Sequence, residues 1–350
     1  MENGVSELTL KLKDYKAVCA KLGIVMCAFY ICRVLAGVAV YFIIDQIGVD
    51  TGSVLQYALS SAAMVLFVYV IPIAVSAALF KSFDYYAGKL QQLYSKPKRL
   101  AKNIGNFPAM YGLGQSVNLL TILVFFLISL IASSQGEGIE LERFFDQMAA
   151  DTPQSVVSAL IMVFVMVFVA PIAEEFWVRG IIYDALKPFG YGTAIVISAI
   201  LFVLMHGSLE MLFYTTALGL ALGYVRYATD SLLVVTILHM IFNAIAAVMM
   251  FLLSVTFITG GEHGIISTVS NIYIFAMLVL VVIGLAAFFK KIPRIRRYKI
   301  ANNWGEVGAR VKLALFFASI PVIIMLVLAF DALANHLLLE KVIEIVVGIL

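Results

Sequence analysis

The chain has 350 residues, of which 63% are apolar and only 13% charged, with a formal net charge of +3. Soluble domains carry roughly 45–50% apolar and about 25% charged residues, so the composition excludes a soluble globular protein and a disordered chain alike. The small net charge leaves no basic footprint for nucleic acid, and no nucleic-acid partner is expected.

A helix that crosses a bilayer needs about 20 apolar residues. Apolar runs fall, in chain order, at 22–44, 55–80, 113–132, 156–186, 191–206, 211–227, 232–257, 272–289 and 313–334, and the last stretch, 342–350, is too short to span. The expectation is an all-α polytopic membrane bundle of eight or nine transmembrane helices. The first run is too long for a signal-peptide core, so no cleaved signal is expected. Cys19, Cys27 and Cys32 lack zinc-ligand spacing and a disulfide framework, and read as packing thiols.

Basic residues set the orientation. They cluster before the first run (Lys11, Lys13, Lys16, Lys21), after the second (Lys81 to Lys102) and after the eighth (Lys290 to Lys312), whereas the intervening loops carry Asp45, Asp50 and Glu137 to Asp151. Nine spans alternate consistently with a cytoplasmic N-terminus. Between 81 and 112, Tyr85, Tyr86, Leu90, Leu93 and Tyr94 interleave with lysines. That pattern fits an amphipathic helix on anionic lipid or an ordinary basic loop.

Ionisable groups inside spans are costly and mark function. Here they concentrate in the fourth, fifth and seventh runs. Glu175 and Arg179 are at i and i+4, so they share a helix face and can pair. Glu174 points about 100° away and lacks that partner, which leaves it free for chemistry. Lys187-Pro188-Phe189-Gly190-Tyr191-Gly192 reads as a tight turn. Glu174 lies 14 residues before Pro188 and His206 lies 14 after Gly192. At 1.5 Å per residue both stand about 21 Å from the turn, at one depth. His239 and Asn243 again share a face at i and i+4, and both carry hydrogen-bond donors. His263 and His336 read as loop or interface residues, and Arg33 receives no role.

A buried carboxylate with a histidine at hand can deprotonate water, and polarised donors can stabilise the oxyanion formed at an amide carbonyl. The natural reading is peptide hydrolysis within the membrane. Glu174, His206 and His239 could also hold zinc; no cofactor is expected, with a divalent metal left open. Other mechanisms lack their residues: there is no His-Glu-x-x-His, no Gly-x-Ser-x-Gly and no pair of intramembrane aspartates, and Ser198 and Ser208 lack the setting of a nucleophile.

Glu-Glu-x-x-x-Arg (Glu174, Glu175, Arg179), Phe-x-x-x-His (Phe202, His206) and His-x-x-x-Asn (His239, Asn243), in this order on successive apolar runs, resemble the CPBP family. These are the CAAX-processing and bacteriocin-processing intramembrane endopeptidases, also called Abi proteins, and include the type II CAAX prenyl endopeptidase. The likeness covers about residues 155–255. It implies a helix bundle around a polar intramembrane cavity, with Glu174 and His206 activating water and His239 and Asn243 stabilising the oxyanion. Glu175, Arg179 and Phe202 would shape the site. The partner implied is a peptide or the C-terminal tail of a protein, lipidated or not, reached in contact with membrane lipid. The chain then divides into N-terminal membrane helices (1–150), a catalytic core (151–260) and C-terminal membrane helices (261–350). The competing reading is a non-catalytic membrane protein for bacteriocin immunity, partner binding or transport. Transport would call for repeated halves, and no second Glu-Glu or His-rich half exists.

Overall fold

The computed structural model describes residues 2–50, 52–81, 94, 97, 100–134, 153–208, 211–260, 264–297, 300, 304 and 307–333. The acidic segment after the third run, His263, His336, the last apolar stretch and most of the Tyr- and Lys-rich loop lie outside them. The regular elements are α1 (Glu2–Ile47), α2 (Val54–Phe80), α3 (Phe107–Ser134), α4 (Val156–Phe189), α5 (Tyr191–His206), α6 (Leu212–Thr229), α7 (Leu232–Ile258), α8 (Gly264–Arg297), α9 (Ala309–Phe317) and α10 (Ile320–Leu333). All-helical structure is what lipid demands, because a backbone in hydrocarbon must satisfy its own hydrogen bonds.

Among the described residues six helices are long and apolar enough to cross a membrane, and the pair α9–α10, bent by 72°, makes at most a seventh. The expected eight or nine are not confirmed among the described residues, for physical reasons. The 16 residues of α5 rise about 24 Å, short of the ~30 Å hydrocarbon core. α6 is interrupted by Thr215, Thr216, Arg226 and three tyrosines. The turn between α4 and α5 is as expected: Lys187–Phe189 forms one 3₁₀ turn and Gly190 takes φ 119°, a conformation that only glycine adopts without strain.

Serines start the helices. The hydroxyls of Ser53, Ser155 and Ser231 accept from the backbone N–H of Gln56, Ser158 and Val234 at 3.1, 3.1 and 3.3 Å, filling one orphan donor each. Prolines disturb the spans further in. α2 and α4 each contain a π-helical turn just ahead of a proline, Val65–Val70 before Pro72 and Val165–Val169 before Pro171, and α4 has a second at Phe176–Ile182.

The bundle has two cores. One gathers α1, α4, α5, α9 and α10 around Tyr15, Phe29, Trp177 and Phe316. The other gathers α3, α6, α7 and α8 around Tyr111, Leu222 and Phe242. Long-range hydrogen bonds tie helices together: Trp177 Nε1 donates to Ser76 Oγ at 2.7 Å, and that hydroxyl donates to Pro72 O at 2.6 Å, so α4 is fastened to α2. Large apolar side chains outside the cores, such as Phe275 and Val282 on α8, are exposed, as suits contact with lipid rather than water.

α3 and α8 cross where Gly112 meets Gly284. A Cβ on either would overlap the other's backbone. Such small-residue contacts let spanning helices approach closely. Gly284→Val is therefore expected to destabilise the protein by at least about 1–3 kcal/mol, read as a fall in Tm in detergent. Gly37→Ala, where nothing stands within 4 Å, should not lower Tm, since Ala also favours a helix interior over Gly.

Candidate active site

Four helices deliver the polar residues. Glu174 and Glu175 come from α4, His206 from the end of α5, His239 and Asn243 from α7, and a residue with no place in the sequence reading, Tyr69, from α2. Glu174 is 7% exposed and Glu175 and Arg179 are fully buried.

Glu175 and Arg179 pair as the helix period requires: Arg179 Nη1 donates to Glu175 Oε1 at 2.9 Å. Arg179 Nη2 also donates to Gly219 O on α6 at 3.1 Å, and the guanidinium lies 4.5 Å from the centre of the Phe202 ring. The same Glu175 oxygen accepts from His239 Nδ1 at 2.8 Å. That bond puts a proton on Nδ1 and turns the other nitrogen, Nε2, toward Glu174 Oε2 at 3.8 Å. Glu174 Oε1 in turn accepts from the Tyr69 hydroxyl at 2.9 Å. Neighbouring glutamates, pointing about 100° apart on their helix, thus flank one imidazole supplied by another helix. At 3.8 Å the Nε2–carboxylate contact exceeds a hydrogen bond, and a water shared by the two atoms would sit beside the line joining them.

His206 stands apart from this cluster. Its Nδ1 lies 2.8 Å from Phe202 O; a carbonyl only accepts, so Nδ1 carries a proton and Nε2 is left open in the neutral ring. No hydrogen bond or ion pair joins it to Glu174. The link is aromatic: the Phe202 ring centre is 4.7 Å from that of His206 and 5.8 Å from that of His239, both edge to face. Phe202 is thus the wall shared by both imidazoles and by Arg179. His206 ends α5, and Gly207 closes the helix at φ 59°, leaving the imidazole partly exposed.

Asn243 is held by a backbone defect. The Ala170 N–H bonds Val165 O across the π turn. The next residue, Pro171, has no N–H to give, so Met166 O is left over. Asn243 Nδ2 donates to it at 2.9 Å. One amide hydrogen is thereby used in tying α7 to α4, and the second remains. Tyr94 belongs to the Lys-rich loop between α2 and α3. It places its hydroxyl 3.4 Å from Ile172 O, and burial pushes its phenol up to about 12, so it is neutral at any physiological pH.

Glu174, His206 and His239 do not form a metal-ligand set: no three His, Cys, Asp or Glu side chains among the described residues are gathered to hold an ion. Tyr69 escaped the sequence reading although it carries a signal. A phenol inside an apolar span needs a hydrogen-bond partner, and Tyr69 sits one turn before Pro72, where the helix is disturbed. Tyr69→Phe removes only that donor and is expected to lower the turnover of any reaction run by Glu174 about tenfold, the scale of one hydrogen bond to a charged group. Steady-state kinetics of the purified variant checks it.

The fold and the cluster together define a multi-pass membrane protein with a carboxylate–imidazole–phenol site between its helices. Residues 156–245 match the family model described as Type II CAAX prenyl endopeptidase Rce1-like, and the match holds all seven motif residues from Glu174 to Asn243. The motif resemblance is therefore borne out over this segment, which is similar to that family along 156–245 of the 350 residues. No curated protein and no solved structure matches the chain. Tyr69 and Arg33 lie outside the matched segment.

Proposed function

We propose that the protein is an intramembrane endopeptidase of the CAAX-processing kind, cutting a peptide bond near the C-terminal end of its substrate with activated water. The observation that carries this reading is the setting of Glu174. Its carboxylate is buried, one oxygen is fixed by the Tyr69 hydroxyl, and the other stands 3.8 Å from Nε2 of His239.

In this scheme a water held by Glu174 and His206 gives up a proton as its oxygen attacks the scissile carbonyl. Glu174 takes that proton and later returns it to the leaving amine, so the carboxylate ends unchanged. The oxyanion accepts from the second amide hydrogen of Asn243 and from Nε2 of His239. With Nδ1–H committed to Glu175, His239 donates from Nε2 only as an imidazolium. Glu175, Arg179 and Phe202 hold the ring in place and act through it.

A lipid-bearing substrate is supported by an open apolar groove of about 370 Å³ between α2 and α4, lined by Val65, Leu66, Val70, Phe164, Val165 and Val169 among others. Val70, in its lining, is the residue that follows Tyr69. A cytoplasmic position for the basic segments is supported by two of them meeting at one end of the bundle. There the Tyr15 ring meets Phe189 and Trp304 at 5.1 and 5.7 Å, joining the Lys-rich start of α1 to the α4–α5 turn and to the segment before α9.

The test is a comparison of peptide termini in cells making the native chain or Glu174→Gln at equal membrane levels. Termini that require Glu174 would support proteolysis and expose the substrate together. Identical termini, with another phenotype of the protein intact, would transfer the weight to a binding or immunity role.

A further inference from the structure

Arg33 lies deep in α1, within the spanning stretch Leu8–Phe42. A cation at such a depth costs free energy unless an anion meets it. Among the described residues it has neither an ion pair nor a hydrogen bond. Its position is nevertheless specific. α1 and α5 run side by side in the same direction, with the Tyr30 hydroxyl donating to Leu204 O at 2.7 Å. Three residues further along both helices, the Arg33 guanidinium covers Gly207, the neighbour of His206. A Cβ built on Gly207 would lie 2.5 Å from Arg33 Nη1.

Capping of α5 does not account for this placement. A capping arginine donates to the last carbonyls of the helix; here Tyr30 takes Leu204 O, and no such bond comes from Arg33. The guanidinium is only partly buried. Both it and Glu174 lie within electrostatic reach of Tyr69. A half-open cation thus stands over the residue that follows His206, within electrostatic reach of the phenol that holds the proposed base.

We propose that Arg33 binds the terminal carboxylate of the substrate tail. This rests on the reading of the protein as a C-terminal endopeptidase. With the scissile carbonyl at Glu174 and His206 and the free carboxylate at Arg33, the site measures the tail. Extended chain covers about 3.4 Å per residue, so only a few residues fit between cut and end. A guanidinium suits the task, because its planar fork matches a carboxylate bidentately. A chain continuing past that point would bring an uncharged amide to a cation that needs an anion.

The experiment uses one fluorescent decapeptide with an S-farnesyl cysteine four residues from its end, made as the free acid and as the terminal amide. Cleavage is followed with the full-length protein, and binding with Glu174→Gln, in phosphate-free detergent micelles and in nanodiscs containing anionic lipid. The free acid is expected to be preferred about 10- to 100-fold, the scale of one charge-assisted pair. The preference should fall to near unity in Arg33→Gln and be partly kept in Arg33→Lys. Because the readout is a ratio within one preparation, it does not depend on how much of a variant folds. Equal treatment of acid and amide by the native chain, or a ratio unchanged by Arg33→Gln, overturns the proposal. An effect of Arg33 confined to anionic lipid overturns it in favour of a headgroup contact. Acid-selective binding that depends on Arg33, without cleavage, would keep the carboxylate site and remove the protease reading; neither binding nor cleavage would remove both.

Discussion

Glu174→Gln is expected to lower kcat for peptide hydrolysis by about 10³-fold or more while the protein stays folded. General-base assistance is worth typically 10²–10⁴ in rate, and here the same carboxylate would serve the leaving group too. The swap is nearly isosteric. Its carbonyl oxygen still accepts from the Tyr69 hydroxyl, which holds Glu174 at 2.9 Å, so Tm should move little. His206→Ala should cost a similar factor, although His206 touches Glu174 only through Phe202 and His239. If both residues act on one water, the double variant is no slower than the worse single one, as for groups that act as a unit. Single-turnover cleavage by purified protein checks both points. A Glu174→Gln variant with native kcat would remove Glu174 from the mechanism, and fully additive losses would separate it from His206.

The largest stability effect should come from the residue next door. Glu175→Leu is expected to destabilise the protein by about 3–5 kcal/mol, the cost of leaving a buried charge without its partner. Glu175 and Arg179 are both fully buried, and Glu175 Oε1 is shared by Arg179 at 2.9 Å and by His239 at 2.8 Å. The substitution therefore strands a guanidinium and frees an imidazole at once. The paired replacement Glu175→Leu with Arg179→Met should recover much of the stability, since exchanging a whole buried ion pair for apolar residues is often neutral or better. It should not recover activity, because His239 would still lack the acceptor that orients it. Denaturation followed by tryptophan fluorescence distinguishes the outcomes: Trp177 packs in the core against Phe29 at 5.5 Å. A single variant as stable as the native chain would mean that Arg179 has an alternative anion.

What could be read from the sequence follows from short-range geometry. Spans show as apolar runs because hydrocarbon tolerates little else. The α4–α5 hairpin shows in its Pro and Gly, and the Glu175–Arg179 pair follows from residues four apart sharing a face. Ordered motifs on successive runs pointed to the family whose model residues 156–245 match. The span count was less secure, because α5 is as apolar as a span but too short to be one, and length against bilayer thickness is judged only once both helix ends are known.

Tertiary structure alone decided which groups meet. Tyr69 and Glu174 are 105 positions apart, and no local period relates them. His239 comes to lie between consecutive glutamates because α7 packs against α4; sequence placed the two carboxylates on different faces but not the helix that would fill the angle between them. Asn243 binds Met166 O only because a π turn meets Pro171 and leaves that carbonyl over. Arg33 reaches Gly207 because α1 runs beside α5, a neighbour it would not have by chain order. Helix periodicity is written residue by residue, whereas the choice of helix neighbours arises from the packing of whole surfaces, and the chemistry of this site depends on that choice.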